Sequence, residues 1–120
     1  MQIHQVAMRA VNLERAVDFW ATHFDARRIE IFDPPGLGFV EIGGVRLLFE
    51  TSAESALVYL RVDDLDQTVE RLRAAGLQIT TEPHCIFDDA DGLFGEPAQE
   101  WMAFCLDSEG NTVGLCERRR

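Results

Sequence analysis

Along the chain the spacing of apolar positions switches from two residues to three or four, and it does so twice in the same order. The segment Val6-Ala-Met-Arg-Ala-Val-Asn-Leu-Glu-Arg-Ala-Val-Asp-Phe-Trp20 lines up with Val58-Tyr-Leu-Arg-Val-Asp-Asp-Leu-Asp-Gln-Thr-Val-Glu-Arg-Leu72. Arg61, Leu65 and Val69 follow Arg9, Leu13 and Val17 by a constant 52 positions. A constant offset means one supersecondary unit used twice. Each copy predicts a strand, a capped turn and an amphipathic helix. In the first copy Asn12 is the N-cap, and Leu13, Val17, Trp20 and Phe24 form the apolar stripe. In the second, Asp64 with Gln67 resembles a capping box, Leu65, Val69 and Leu72 make the stripe, and Gly76 is a left-handed stop. With a single apolar face, each helix must lie on a sheet.

Strand patterns follow both helices. In the first half they are Arg28 to Phe32, Phe39 to Ile42, the turn Gly43-Gly44, and Val45 to Glu50. The Gly-Gly pair between apolar runs is a hairpin signal, because glycine reaches the positive φ such turns require. In the second half they are Leu77 to Thr81, Trp101 to Leu106, the turn Ser108-Glu-Gly-Asn111, and Thr112 to Glu117. Both halves therefore read β-α-β-β-β, an α+β arrangement in one domain over 1–120, with module one at 1–52 and module two at 53–120. Two segments fall outside the repeat. Asp33-Pro34-Pro35-Gly36 reads as a rigid loop, since proline has no N–H for a central strand. The acidic, Gly/Pro-punctuated stretch Glu82 to Glu100 reads as a long loop, and long loops are more often functional or mobile than average connections.

Composition narrows the function. The 120 residues are 47% hydrophobic and 27% charged, ordinary for one globular domain. Eleven basic residues against 21 acidic ones give a formal net charge of −10. That argues against nucleic acid, whose backbone is bound by clustered Lys and Arg. The basic run Arg118-Arg119-Arg120 reads as a solvated tail. No apolar run is long enough for a membrane span. The opening Met1-Gln2-Ile3-His4 has neither the basic segment nor the apolar stretch of a secretion signal, so a cytoplasmic location is the expectation. Cys85, Cys105 and Cys116 form no C-x-x-C pair, which suits reduced thiols. Cys105 and Cys116 fall in apolar strand patterns, and Cys85, after His84, is the one to watch. Asp88-Asp89-Ala90-Asp91-Gly92 is superficially like a calcium loop but lacks the alternating acids and the terminal Glu.

Two tandem βαβββ modules resemble the vicinal-oxygen-chelate superfamily (glyoxalase, bleomycin-resistance and dioxygenase proteins). The carriers are Val6 to Phe24, Leu57 to Gly76, and Asp107-Ser-Glu-Gly-Asn-Thr-Val-Gly-Leu115, which is similar to the family's D-P-x-G-N/H hairpin. Glu82-Pro83-His84 and Glu100-Trp-Met-Ala-Phe104 look like a variant of glyoxalase-like members. The resemblance implies a partly open, cup-like mixed sheet holding a small molecule between the modules, and a homodimer. It also implies a metal quartet, which registers on Gln5, Leu47, Leu57 and Gly114. Of these only Gln5 has a donor atom, and divalent ions need several oxygen or imidazole ligands. Slipping the register by one residue brings in His4, Ala56 and Val113, which is no better. The expectation is therefore a member with no metal and no cofactor.

Strand alternation puts Gln5, Ala7 and Arg9 on one face and Leu57, Tyr59 and Arg61 on the matching face of the second copy, with Leu47 and Phe49 joining them. Mostly apolar walls with a few polar groups are what a small-molecule pocket requires. Arg9 resembles an active-site arginine of glyoxalase-like sequences, and a guanidinium suits carboxylate or phosphate. Trp101 borders the same region. The leading expectation is a metal-free small-molecule-binding protein of the bleomycin-resistance type. The alternatives are a metal-independent enzyme using His84, Glu100 or Tyr59, a metal-dependent lyase or epimerase, and an accessory domain docking a protein through Phe87, Leu93 and Phe94.

Overall fold

The computed structural model describes residues 3–120; Met1 and Gln2, part of the opening read above, lie outside the described residues. Its elements run β1 (Gln5–Arg9), α1 (Leu13–His23), β2 (Arg27–Phe32), β3 (Leu37–Ile42), β4 (Val45–Glu50), β5 (Val58–Arg61), α2 (Leu65–Ala74), β6 (Ile79–Asp89), β7 (Ala98–Leu106) and β8 (Thr112–Arg119). This is the doubled β-α-β-β-β order that the repeat predicts. Each half makes its own four-stranded mixed sheet, ordered β1-β4-β3-β2 in one and β5-β8-β7-β6 in the other. In each, the first strand runs parallel to the last and the remaining neighbours are antiparallel.

Two compact units result: residues 1–56 with 107–111, and residues 57–106 with 112–120. In the first, Asn12 caps α1 by accepting from the Arg15 N–H at 3.0 Å, satisfying one of the amides a helix start leaves unpaired. Val17 and Trp20 are buried, as are Met8, Val40, Leu47 and Phe49 of the sheet. Trp20 packs on Phe49 with ring centroids 5.9 Å apart. Gly38 is what lets α1 come close. A Cβ there would sit 3.2 Å from Val17 and 3.6 Å from Leu13. The second unit repeats the scheme, with Asp64 capping α2 through the Gln67 N–H. Leu65, Val69 and Leu72 are buried there with Ala103, Cys105, Val113 and Leu115. Burying one such aliphatic side chain contributes about 2 kcal/mol, so the stripes dominate the stability of both units.

Two expectations are corrected. The stretch Glu82 to Glu100 is not a long loop: β6 continues to Asp89, β7 begins at Ala98, and only residues 90–97 connect them. The reason is position. β6 is the edge strand, where Pro83 lacks an N–H at no cost to a neighbour, and register shifts near His84 and Phe87 absorb the irregular sequence. The terminal arginines are not a solvated tail either. β8 extends through Arg119, and the half-buried Arg118 is engaged in ion pairs with Asp89 and Glu100.

The turn 107–111 is built from polar side chains. Asp107 is 6% exposed and accepts hydrogen bonds from the Trp20 indole at 3.1 Å and from the Glu109 and Asn111 amides. The Glu109 carboxylate accepts from the Val11 and Asn12 amides, at 2.7 and 2.9 Å, and pairs with Arg15. Asn111 donates to the Arg9 carbonyl. The Asp-Ser-Glu-Gly-Asn segment therefore has a structural task at the start of α1.

Candidate functional site

Each sheet has a face away from its helix, and the register fixes what stands on it. In the first unit Gln5, Ala7 and Arg9 pair with Arg46, Leu48 and Glu50 of β4. The Gln5 side-chain oxygen accepts from Arg46 Nε at 2.9 Å, Arg46 also donates to His4 Nε2, and its guanidinium lies 5.5 Å from the centre of the Phe39 ring. The Arg9 guanidinium has no hydrogen bond or ion pair among the described residues.

Leu47 and Phe49 are on the other face. They are 2% and 0% exposed, and Phe49 meets Trp20 of the helix. The expectation that they line a pocket with Gln5 and Arg9 is corrected, and Leu48 stands on the open face in their place. Alternation did not decide this, because Leu47-Leu48-Phe49 is apolar on both faces.

In the second unit the open face is built in rows across the strands. Tyr59 on β5 pairs with Gly114 on β8, and Gly114 with Phe104 on β7. The Tyr59 and Phe104 rings meet edge to face at 6.0 Å. Gly114 matters because a Cβ there would fall 2.5 Å from the Tyr59 ring, so the ring lies where a larger residue's side chain would begin. The next row is Arg61, Cys116, Met102 and His84, one from each strand. The row after it holds Arg118, Glu100 and Phe87. Leu57, just before β5, and Tyr59 are 48% and 50% exposed.

The structure thus brings Tyr59, Arg61, His84 and Glu100 to one face. It does not make them a catalytic set. Glu100 is held by Arg118 at 2.5 Å, and His84 Nδ1 is 2.9 Å from the Glu82 carbonyl. Cys116 and His84 stand two strands apart, about 10 Å at the usual strand spacing, too far for a hydrogen-bonded thiol–imidazole pair. Burial, then the Glu100 charge, pushes the Cys116 thiol above its ordinary value against the opposing pull of Arg61. A thiol held protonated is a poor nucleophile at neutral pH. Trp101 is placed elsewhere. It pairs with Glu117, which accepts from the Leu65 amide at the start of α2, and its ring lies 4.2 Å under the Arg119 guanidinium. It belongs to the helix face, so its assignment to the ligand-lining group is corrected.

The metal quartet implied by the resemblance does not fit these residues. In the first unit Gln5 is engaged by Arg46 and Leu47 is buried under α1. In the second, Leu57 offers no donor and the space above Gly114 holds the Tyr59 ring. Among the described residues no three His, Cys, Asp or Glu side chains gather as a cation would require. The Asp88–Gly92 segment is equally unsuited, because Asp89 is 1% exposed and already committed. Its carboxylate accepts from the Leu93 and Phe94 amides at 2.7 and 3.0 Å and from Arg118 at 2.9 Å.

At the end of this face, beyond Arg61, a cleft of about 250 Å³ opens between Arg61, Phe94, Glu96, Ala98, Arg118 and Arg120. Sequence reasoning found Arg61 but missed Arg118, Phe104 and Met102. The two-residue spacing of Met102 and Phe104 was a usable signal. The partners of Arg118 left no local trace.

A strand, a helix and three further strands, used twice, each set closing a mixed sheet over one helix, define the paired βαβββ class. The model of the Glyoxalase/Bleomycin resistance protein/Dioxygenase superfamily matches residues 2–115, and the chain belongs to that superfamily. It is 28% identical to a glyoxylase-like domain-containing protein of Didymella fabae, across 98% of this chain and 94% of that protein. Among solved structures, a lactoylglutathione lyase from Agrobacterium tumefaciens superposes with a TM-score of 0.72 at 18% identity, covering 97% of this chain and 92% of that one. A superfamily member from Sphaerobacter thermophilus DSM 20745 gives 0.74 at 17% identity, covering 98% and 97%. At such identities the structural likeness establishes the fold, and activity must be argued from the site. Neither helix of the described residues is long and apolar enough to cross a membrane.

Proposed function

We propose that this protein is a metal-free small-molecule-binding protein of the glyoxalase/bleomycin-resistance type, with its ligand against the open face of the second sheet. The observation that carries the reading is the Tyr59–Gly114 contact. Where the resemblance calls for a side chain that grips a metal, glycine stands, and a half-exposed aromatic ring lies over it beside Phe104. Apolar and aromatic walls with a free guanidinium at one end favour holding an organic molecule over polarising one. The shielded thiol and the committed Glu100 weigh against the metal-independent enzyme. The net charge of −10 weighs against nucleic acid. The working form is a homodimer, following the resemblance, and its expected location is the cytoplasm.

Native mass spectrometry of the purified protein, with and without Ni²⁺, Zn²⁺ or Mn²⁺, tests this together with a small-molecule screen by thermal shift. The expected result is twice the 13.6 kDa chain mass, no ion retained, and at least one organic compound that raises Tm and loses affinity in Tyr59→Ala. Stoichiometric metal uptake with substrate turnover would overturn the reading.

A further inference from the structure

Arg61 is one of three arginines, with Arg9 and Arg71, whose guanidinium makes no hydrogen bond or ion pair among the described residues, and of these it is the one that lines the cleft. The chain has ten more acidic than basic residues, and most of its arginines find a partner. Arg15, Arg27, Arg28, Arg73, Arg118, Arg119 and Arg120 all sit in ion pairs. The Arg61 guanidinium makes no hydrogen bond or ion pair among the described residues, and it stands at the mouth of the 250 Å³ cleft.

The cleft around it is already ordered. Arg118 forms its floor with every contact fixed: to Asp89 at 2.9 Å, to Glu100 at 2.5 Å and to the Glu96 carbonyl at 2.6 Å. Asp89 in turn clamps the Leu93 and Phe94 amides, so the 90–97 turn is tied to the same arginine. The Phe94 ring is 64% exposed, yet it is braced edge to face against Phe87 at 6.1 Å. An exposed aromatic held in place by a ring contact and by a turn tied to a half-buried arginine is a prepared surface, and preparation lowers the entropic cost of binding. Arg120 pairs with Glu96 across the opening, both ends solvated, so Glu96 is neutralised and Arg120 can be redirected.

We propose that this cleft takes a small aromatic carboxylate, its acid group on Arg61 with Arg120 and its ring against Phe94 and Ala98. A carboxylate matches the bidentate fork of a guanidinium. Size sets the rest. A dry cavity of roughly 150 Å³ accommodates benzene, so a cleft of about 250 Å³ has room for one substituted ring with its acid group. The inference rests on the small-molecule-binding reading above and names the class of ligand for it.

The test uses the full chain, with benzoate and phenylacetate as probes beside neutral benzamide and cationic benzamidine. Binding is followed by calorimetry and by backbone amide shifts in NMR. The expected result is saturable binding of the two acids with shifts centred on Arg61 and Phe94, and at least tenfold weaker binding of benzamide and benzamidine. Arg61→Gln should lose at least tenfold in acid affinity, Arg61→Lys should lose less, and Arg71→Gln on the α2 surface should lose nothing. Arg61 is exposed, so the variants fold, and an unchanged Tm verifies it. Equal binding of acid and amide, or full affinity in Arg61→Gln, would overturn the proposal. If other compounds from the screen bind and are lost in Tyr59→Ala while neither acid binds, the carboxylate inference alone falls. If nothing organic binds at all, the binding reading falls with it.

Discussion

The Glu109 side chain is 1% exposed, yet it is ionised, because two backbone amides and Arg15 surround it. Burial pushes this carboxyl up, but the hydrogen bonds from Arg15, Asn12 and Val11 outweigh it and hold the group below its ordinary value. The sign follows: a depressed carboxyl stabilises the fold above the unfolded value of about 4.3, and that stability is lost as pH falls through the folded value. Glu109→Gln should cost about 2 kcal/mol in urea unfolding at pH 7, the worth of a charge-assisted hydrogen bond. The penalty should shrink as the pH is lowered below 4.3 or so. A pH-independent penalty would mean that the neutral amide fails for reasons of shape.

At the scale of the element, two strands are decided by what lies across them. Gly114→Ala places a methyl group against the Tyr59 ring, 2.5 Å from its nearest carbon, so the ring must move. The expected cost is about 1 kcal/mol of overpacking, most of it recovered in the Gly114→Ala/Tyr59→Ala double variant. A double-mutant cycle with no coupling would show that the ring swings away freely. The second case is the turn between β6 and β7. Asp89→Asn loses the charge that Arg118 and two amides share. Hydrogen exchange at the Leu93 and Phe94 amides should then accelerate well beyond that of the α2 amides, which the change does not touch. The Asp89 carboxyl is itself held below its ordinary value, chiefly by the Phe94 amide. The same amides should therefore open in the wild type at strongly acidic pH.

At the scale of the molecule, the charge balance and the site chemistry meet. A surface with a net charge of −10 repels small anions at long range, and the Arg61 guanidinium must act against that field. Added salt screens the repulsion over the whole surface, and it also weakens the local pair. Acid binding should therefore change little between low and physiological salt, whereas a cationic ligand would weaken steadily. Calorimetric titration of benzoate at two salt concentrations reads this directly.

What the sequence determined by itself is what depends on neighbours a few residues away. The doubled strand-helix order, both N-caps, the buried stripes of α1 and α2, and the β3–β4 hairpin at Gly43-Gly44 were all legible. Periodicity and capping are local, and the constant 52-residue offset repeats them. The faces of Gln5, Arg9, Tyr59 and Arg61 were also legible, because those strands alternate cleanly. Tertiary structure alone decided the rest. The face of Leu47 and Phe49 needed Trp20 across the sheet, since Leu47-Leu48-Phe49 reads the same on either side. The strand through Pro83 needed an edge position, which no residue near it specifies. Arg118 became a half-buried anchor because Asp89, 29 residues away, closes the 90–97 turn onto it. Glu109 became part of the α1 start across 98 positions of sequence. A carboxylate or guanidinium reads as solvated until its partner is known, and only the fold brings that partner within 3 Å or so.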